Sequence, residues 1–230
     1  TASLAQRNDI LGAAEGMAIK AEDLICLRKE EGRERVADHR VVYIYHNEID
    51  ARGDSASTES GTFDAARDAI DQVASIVKYI VNSLSGNYVL VTADHGFLFT
   101  ETRPDETDKS KLITKPAGTV IAKKRYLLGH RLGANEAAWH GRTERTASAG
   151  GDMEFWIPRA GNRFHFVGGA RFVHGGAMPQ EIVVPVIRVR QARGAKRKEK
   201  TRTRQVTVQV LGTNHRITAQ KHRFKLVQME

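Results

Sequence analysis

Two short runs of uninterrupted apolar, β-branched and aromatic residues constrain this chain more than any other feature: Val41-Val42-Tyr43-Ile44-Tyr45 and Tyr88-Val89-Leu90-Val91-Thr92. Runs of this kind, without polar alternation, mark strands buried on both faces, as in a parallel sheet covered by helices. Between them Phe63, Ile70, Val73, Val77, Ile80 and Leu84 recur at helical spacing. Asp64 and Asp68 sit near the start, where the helix dipole favours negative charge, and Gly86-Asn87 ends the pattern. Strand, helix, strand predicts a βαβ unit with a right-handed crossover. The loops after both strands then share one edge of a parallel sheet, where α/β folds place their ligands.

The remaining segments read less sharply. Leu4, Ile10, Leu11 and Met17 predict a helix over residues 2–22. The stretch HNEIDARGD after the first strand reads as a loop. Residues 100–115 lack periodicity and read as a surface excursion. The polar stretch containing His130 and His140 reads as an insertion with little regular structure of its own. Short strands are expected at 155–157 and 164–167, joined as a hairpin through Pro158 and Asn162. A helical turn is expected at 178–181 before a strand at 182–187.

A chain of 230 residues that is 40% hydrophobic can bury one substantial core. No stretch approaches the roughly 20 uncharged apolar residues of a membrane span, and the N-terminus lacks the charged-then-apolar order of a signal peptide. The expectation is a soluble, cytoplasmic protein without membrane association. Cys26 is the only cysteine, so any metal must be held by oxygen and imidazole. The net charge of +9 is uneven: residues 188–230 hold 13 Lys and Arg against two Glu, a net +11, so residues 1–187 carry −2. A basic tail of this kind either follows a phosphate backbone or is a solvated connector. The expected organisation is a main domain over 1–187, a basic linker over 188–204, and the start of a β-rich unit over 205–230. The last is read as truncated, because two strands rarely hold together alone in water.

Three places carry chemistry. Asp50 and Asp54, spaced D-x-x-x-D, follow the first buried strand; either they turn toward one cation, or Asp54 starts a turn with Gly53 and Asp50 caps the strand end. Asp94 and His95 end the second strand ahead of Gly96, as an O,N ligand pair suited to zinc, manganese or iron or as a helix cap and a structural histidine. His174 follows another apolar run and precedes Gly175-Gly176. A lone histidine is more often structural, but three strand ends that each offer Asp or His, two of them on one predicted edge, favour a metal site.

The order D-x-x-x-[HD], a strand running into D-H-G, and a later H-G-G resembles the alkaline phosphatase superfamily of two-metal hydrolases. The segments VYIYHNEIDARGD, VLVTADHGFLFT, KKRYLLGH and RFVHGGAMPQEIVVPVI resemble one branch, the PglZ proteins of bacterial BREX phage-defence systems. The resemblance implies a partial three-layer α/β sandwich with a mostly parallel sheet, followed by a β-rich C-terminal segment. It also implies two divalent metal ions (Zn, Mg or Mn), one held by Asp50, Asp54 and His174 and the other by Asp94 and His95. Asp54 stands where most of the superfamily has His, which makes that site harder and more anionic and shifts it from zinc toward magnesium or manganese. The superfamily's nucleophile, a Ser or Thr after an Asp, has no match here, so a phosphoester hydrolase is expected to be incomplete in this chain. Lys124, Arg125 and Arg171 are candidate phosphate contacts. The expected partners are DNA or another phosphoester and other BREX proteins. The competing expectation is an inactive metal-bearing scaffold that binds DNA or defence proteins.

Overall fold

In the computed structural model, residues 3–110, 115–165, 169–191, 206–212 and 225–229 are described, and the chain divides into two units, Thr1–Arg190 and Gln191–Glu230. The first unit is mixed α/β. It opens with helix α1 (Leu4–Gly12), which Ser3 and Gln6 close in a reciprocal capping box. The predicted 2–22 helix then fails. Gly16–Lys20 forms strand β1 instead, and α2 (Ala21–Ile25) follows. The strand is favoured because its edges are satisfied twice. It pairs in parallel with β2 (Val41–Tyr45), and the Asn8 side chain both accepts from the Ala18 N–H at 2.8 Å and donates to the Ala18 carbonyl at 3.1 Å.

Helix α3 (Lys29–Ala37) leads into β2, and Met17, Ile19, Leu24 and Leu84 form the core beneath it. The loop expected after β2 is a short helix, α4 (Glu48–Gly53), and the long helix α5 spans Thr62–Asn82. The face of α5 differs from the one its apolar spacing suggested. Ala65, Ala69 and Ile76 are buried, whereas Phe63 and Ile70 are 55% and 68% exposed.

Strand β3 (Tyr88–Thr92) follows, but it does not pair with β2. Among the described residues it pairs antiparallel with β10 (Val186–Arg190), while β2 pairs only with β1. The expected mostly parallel sheet is therefore represented by one parallel pair, because each apolar strand finds a different neighbour from the one the βαβ reading gave it. β4 (Leu98–Phe99) and β9 (Phe172–Val173) form a further antiparallel pair.

The stretch around His130 and His140 is a second correction. It builds a four-stranded antiparallel sheet of β5 (Thr119–Ala122), β6 (Leu127–His130), β8 (Met153–Pro158) and β7 (Ala138–Arg142), in that spatial order, with α6 (Thr143–Ala147) between β7 and β8 in sequence. Leu127, Leu132, Ala138, Trp156 and Phe164 give it a core of its own. Strand β8 contains the predicted 155–157, but its partners are β6 and β7. Of the expected second strand, Phe164 and His165 belong to no strand, the neighbouring Arg163 makes an isolated bridge to Lys109, and Phe166 and Val167 lie outside the described residues. The turn α7 (Pro179–Ile182) precedes β10, which runs to Arg190 and so includes Arg188 and Arg190 of the segment read as linker.

In the second unit, β11 (Thr207–Val210) pairs antiparallel with β12 (Leu226–Met229). Most of the basic stretch, residues 192–205, lies outside the described residues, as does Phe224, the first apolar residue of the alternation that continues through Leu226 and Val227. No helix among the described residues is long and apolar enough to cross a membrane.

Candidate metal centre

Asp50 and Asp54 are brought together by helical geometry. The Asp54 N–H donates to the Asp50 carbonyl at 3.0 Å, closing the last turn of α4, so the D-x-x-x-D spacing sets both carboxylates on one helix face. β9 packs directly on that helix. A Cβ built on Gly53 would lie 2.5 Å from the ring of Phe172, which is 1% exposed. Glycine is the only residue that lets α4 approach this closely. Two residues beyond Phe172, the chain presents His174 to the same helix face, with Nε2 at 3.6 Å from Asp54 Oδ1. Gly53→Ala should therefore destabilise the fold by roughly 1–3 kcal/mol through overpacking. Thermal unfolding would check this, and an unchanged melting temperature would show that the contact is not tight.

His95 arrives from the end of β3. Its Nδ1 lies 3.0 Å from the Gly96 carbonyl, which can only accept, so Nδ1 carries a proton and Nε2 is the ring atom turned toward the carboxylates. Nε2 stands 3.5 Å from Asp50 Oδ2 and 3.8 Å from Asp94 Oδ1. The His95 and His174 rings stack at 4.1 Å between centroids, only 2° from parallel. Asp50, His95 and His174 each offer one ligand atom, and these atoms all lie within 4.8 Å of one another.

The donor set fits a divalent cation. Two imidazoles with one carboxylate are a donor set that suits zinc or manganese, and the adjoining Asp54 and Asp94 carboxylates add negative charge around it. Asp50 feels all of these groups. Burial pushes its carboxyl above the ordinary aspartate range, the His174 and His95 imidazoles oppose the shift, and Asp54 and Asp94 add to it. All five residues named from the sequence thus lie at one place, in a grouping that cuts across the two-metal division. Asp50 and both histidines form the tight set, Asp54 stands against His174, and the Asp94 side chain beside His95 is 89% exposed.

The three predicted phosphate contacts fare differently. Arg125 is unavailable to any ligand: it is 0% exposed and forks onto Glu181, with Nε to Oε1 at 2.9 Å and Nη2 to Oε2 at 2.6 Å, and it also donates to the Asn162 and Ala160 carbonyls. Arg171 donates through Nε to the Thr100 carbonyl at 3.1 Å and lies over the Phe99 ring. Lys124 keeps its place as a candidate. Burial lowers its pKa, and Asp54 and Glu59 oppose that shift, which puts a partly desolvated cation within electrostatic reach of the cluster.

The sequence reading missed Glu59 and Glu181. Glu59 is buried and accepts the Arg171 N–H at 3.0 Å and the Phe172 N–H at 3.4 Å, anchoring β9. Glu181 is 2% exposed. The signal for it was M-P-Q-E, where a carboxylate three residues into a helical turn closes a capping box.

Residues 1–189 match the family model described as the BREX system PglZ alkaline phosphatase-like domain. The chain is 46% identical over 190 residues to the alkaline phosphatase-like protein BrxZ of Escherichia coli O9:H4 (strain HS), covering 83% of this chain and 22% of that protein. It is 34% identical over 205 residues to the alkaline phosphatase-like protein PglZ of Bacillus cereus (strain H3081.97), covering 89% of this chain and 24% of that protein. The chain thus spans about a quarter of the length of these relatives.

Proposed function

Because this chain belongs to the PglZ family of alkaline phosphatase-like domains of BREX systems, we propose that its Asp/His cluster is the metal-holding half of a phosphoester hydrolase acting in phage defence. The observation that carries this reading is the convergence of Asp50, His95 and His174 from three separate elements to within 4.8 Å. Asp50, His95 and His174 would hold a first divalent ion; with a second ion bound, Asp50, Asp54 and His174 would hold one and Asp94 and His95 the other. Bound metal would supply Lewis-acid stabilisation of charge on the phosphate oxygens. The chain's own residues do the rest. Gly96 fixes the His95 tautomer, the α4 turn pairs the two aspartates, and Lys124 offers a partly desolvated donor to a non-bridging oxygen.

No residue here is assigned as nucleophile, and the exposed strand faces suggest where one comes from. Val41, Tyr43 and Tyr45 on β2 and Tyr88 and Leu90 on β3 are between 36% and 51% exposed, although both runs read as strands buried on both faces. Together with relatives about four times as long, this supports a full-length protein whose other segments cover these faces, complete the three-layer sheet and supply the nucleophile. A cytoplasmic location and other BREX proteins as partners belong to the same proposal.

In the full-length protein, chelation and Asp94→Ala should each lower phosphoester hydrolysis by at least about a hundredfold. Activity that survives either treatment would refute the reading. The second reading is a metal-bearing scaffold without hydrolytic activity, favoured by the +11 charge of residues 188–230. It would show salt-sensitive DNA binding that requires residues 188–204 and is indifferent to Asp94→Ala.

A further inference from the structure

Glu181 reaches both histidine-bearing loops at once. Its backbone carbonyl accepts the Gly96 N–H at 2.8 Å, one residue from His95. Its carboxylate accepts the Gly176 N–H on Oε1 at 2.9 Å and the Met178 N–H on Oε2 at 3.1 Å, just past His174. Arg125 grips the same two oxygens and, through the Asn162 and Ala160 carbonyls, ties them to the segment that follows β8. The fit leaves no room for side chains. A Cβ on Gly96 would collide with the Gln180 carbonyl oxygen, and one on Gly176 would collide with Arg125 Nη2 and lie 2.6 Å from Glu181 Oε2. Gly175, at φ +91°, makes the turn between His174 and the clamp.

We infer that the buried Arg125–Glu181 pair is a positioning device that locks the Asp94-His95-Gly96 and His174-Gly175-Gly176 loops in register, so that cation affinity at the Asp/His cluster depends on a carboxylate that does not itself belong to the cluster. The inference rests on the metal-centre reading, but its geometric half does not. The clamp sets the spacing and stacking of the His95 and His174 rings whether or not a cation is bound. Partners that orient ligands without touching the ion commonly govern affinity by roughly ten- to a hundredfold.

The test is Glu181→Gln in the whole chain, with two readouts at a temperature where circular dichroism shows wild type and variant equally folded. The first is the pair of imidazole proton shifts of His95 and His174 in metal-free protein, assigned by single His→Gln variants. The stacked rings should perturb each other in the wild type and lose that mutual shift in Glu181→Gln. The second is calorimetric titration with Zn²⁺ alone, where the apparent affinity should fall about ten- to a hundredfold with unchanged stoichiometry. Folded Glu181→Gln with wild-type shifts and wild-type zinc affinity would overturn the inference, since a purely structural pair would lower the melting temperature and leave both readouts alone. If wild type takes up no zinc, the metal-centre reading fails, and the ring shifts still decide the clamp. Should Glu181→Gln not fold, the double variant Arg125→Met/Glu181→Leu is read in the same way, because replacing both members of a buried ion pair by apolar residues tends to preserve stability.

Discussion

His95→Ala should weaken Zn²⁺ or Mn²⁺ binding to this chain by more than about a hundredfold, since losing even a hydrogen-bond partner of a ligand costs roughly ten- to a hundredfold. The fold should tolerate the change. The His95 side chain is 25% exposed and belongs to neither apolar core cluster. Its contribution lies in Nε2, which meets Asp50 and Asp94, and in the ring that stacks on His174. Calorimetric titration of the folded variant checks the result. Affinity within about threefold of wild type would mean that any bound cation uses other ligands.

Arg125→Ala should destabilise the first unit by about 3–5 kcal/mol, because it leaves the Glu181 carboxylate buried without its counter-charge. For a unit of this size that is a fall in melting temperature of roughly 10 °C. Burial alone would raise the Glu181 pKa, but the Arg125 guanidinium and the Gly176 and Met178 N–H groups overcome it and hold the value below the ordinary glutamate range. A depressed folded-state pKa contributes stability that is complete above the unfolded glutamate value and lost as pH falls through the folded one. Acid unfolding followed by circular dichroism should therefore lose this component in Glu181→Gln. An Arg125→Ala protein as stable as wild type would show that the pair is hydrated.

The legible parts of the sequence were those in which one short segment settles its own state. The β-branched runs at 41–45 and 88–92 are strands, the 3.6-residue spacing after Phe63 is a helix, and of the ligand types Asp50, His95 and His174 cluster with Asp54 and Asp94 beside the two histidines. What failed depended on distant partners. Gly16–Lys20 carries little strand signal, with Ile19 its single β-branched residue, and it is a strand because β2 and Asn8 satisfy its edges. HNEIDARGD reads as a loop because its glycine and acidic residues suit one, yet the same four-residue spacing is one helical turn, and that turn is what aligns Asp50 with Asp54. The sheet containing His130 and His140 hides behind polar residues that face solvent and bond locally, His130 to Asp152 at 2.8 Å and His140 to Glu154 at 3.0 Å. Arg125 looks like any surface cation until its partner, 56 positions later, is known. Charge type is local information, but burial is not.

Anomalous diffraction from crystals of this chain soaked in Zn²⁺ or Mn²⁺ would test the central claim most directly. The account predicts one strong peak at about 2.0–2.2 Å from an Asp50 oxygen and from an imidazole nitrogen of each of His95 and His174. A peak bound elsewhere, or none at saturating metal with the two rings apart, would contradict it.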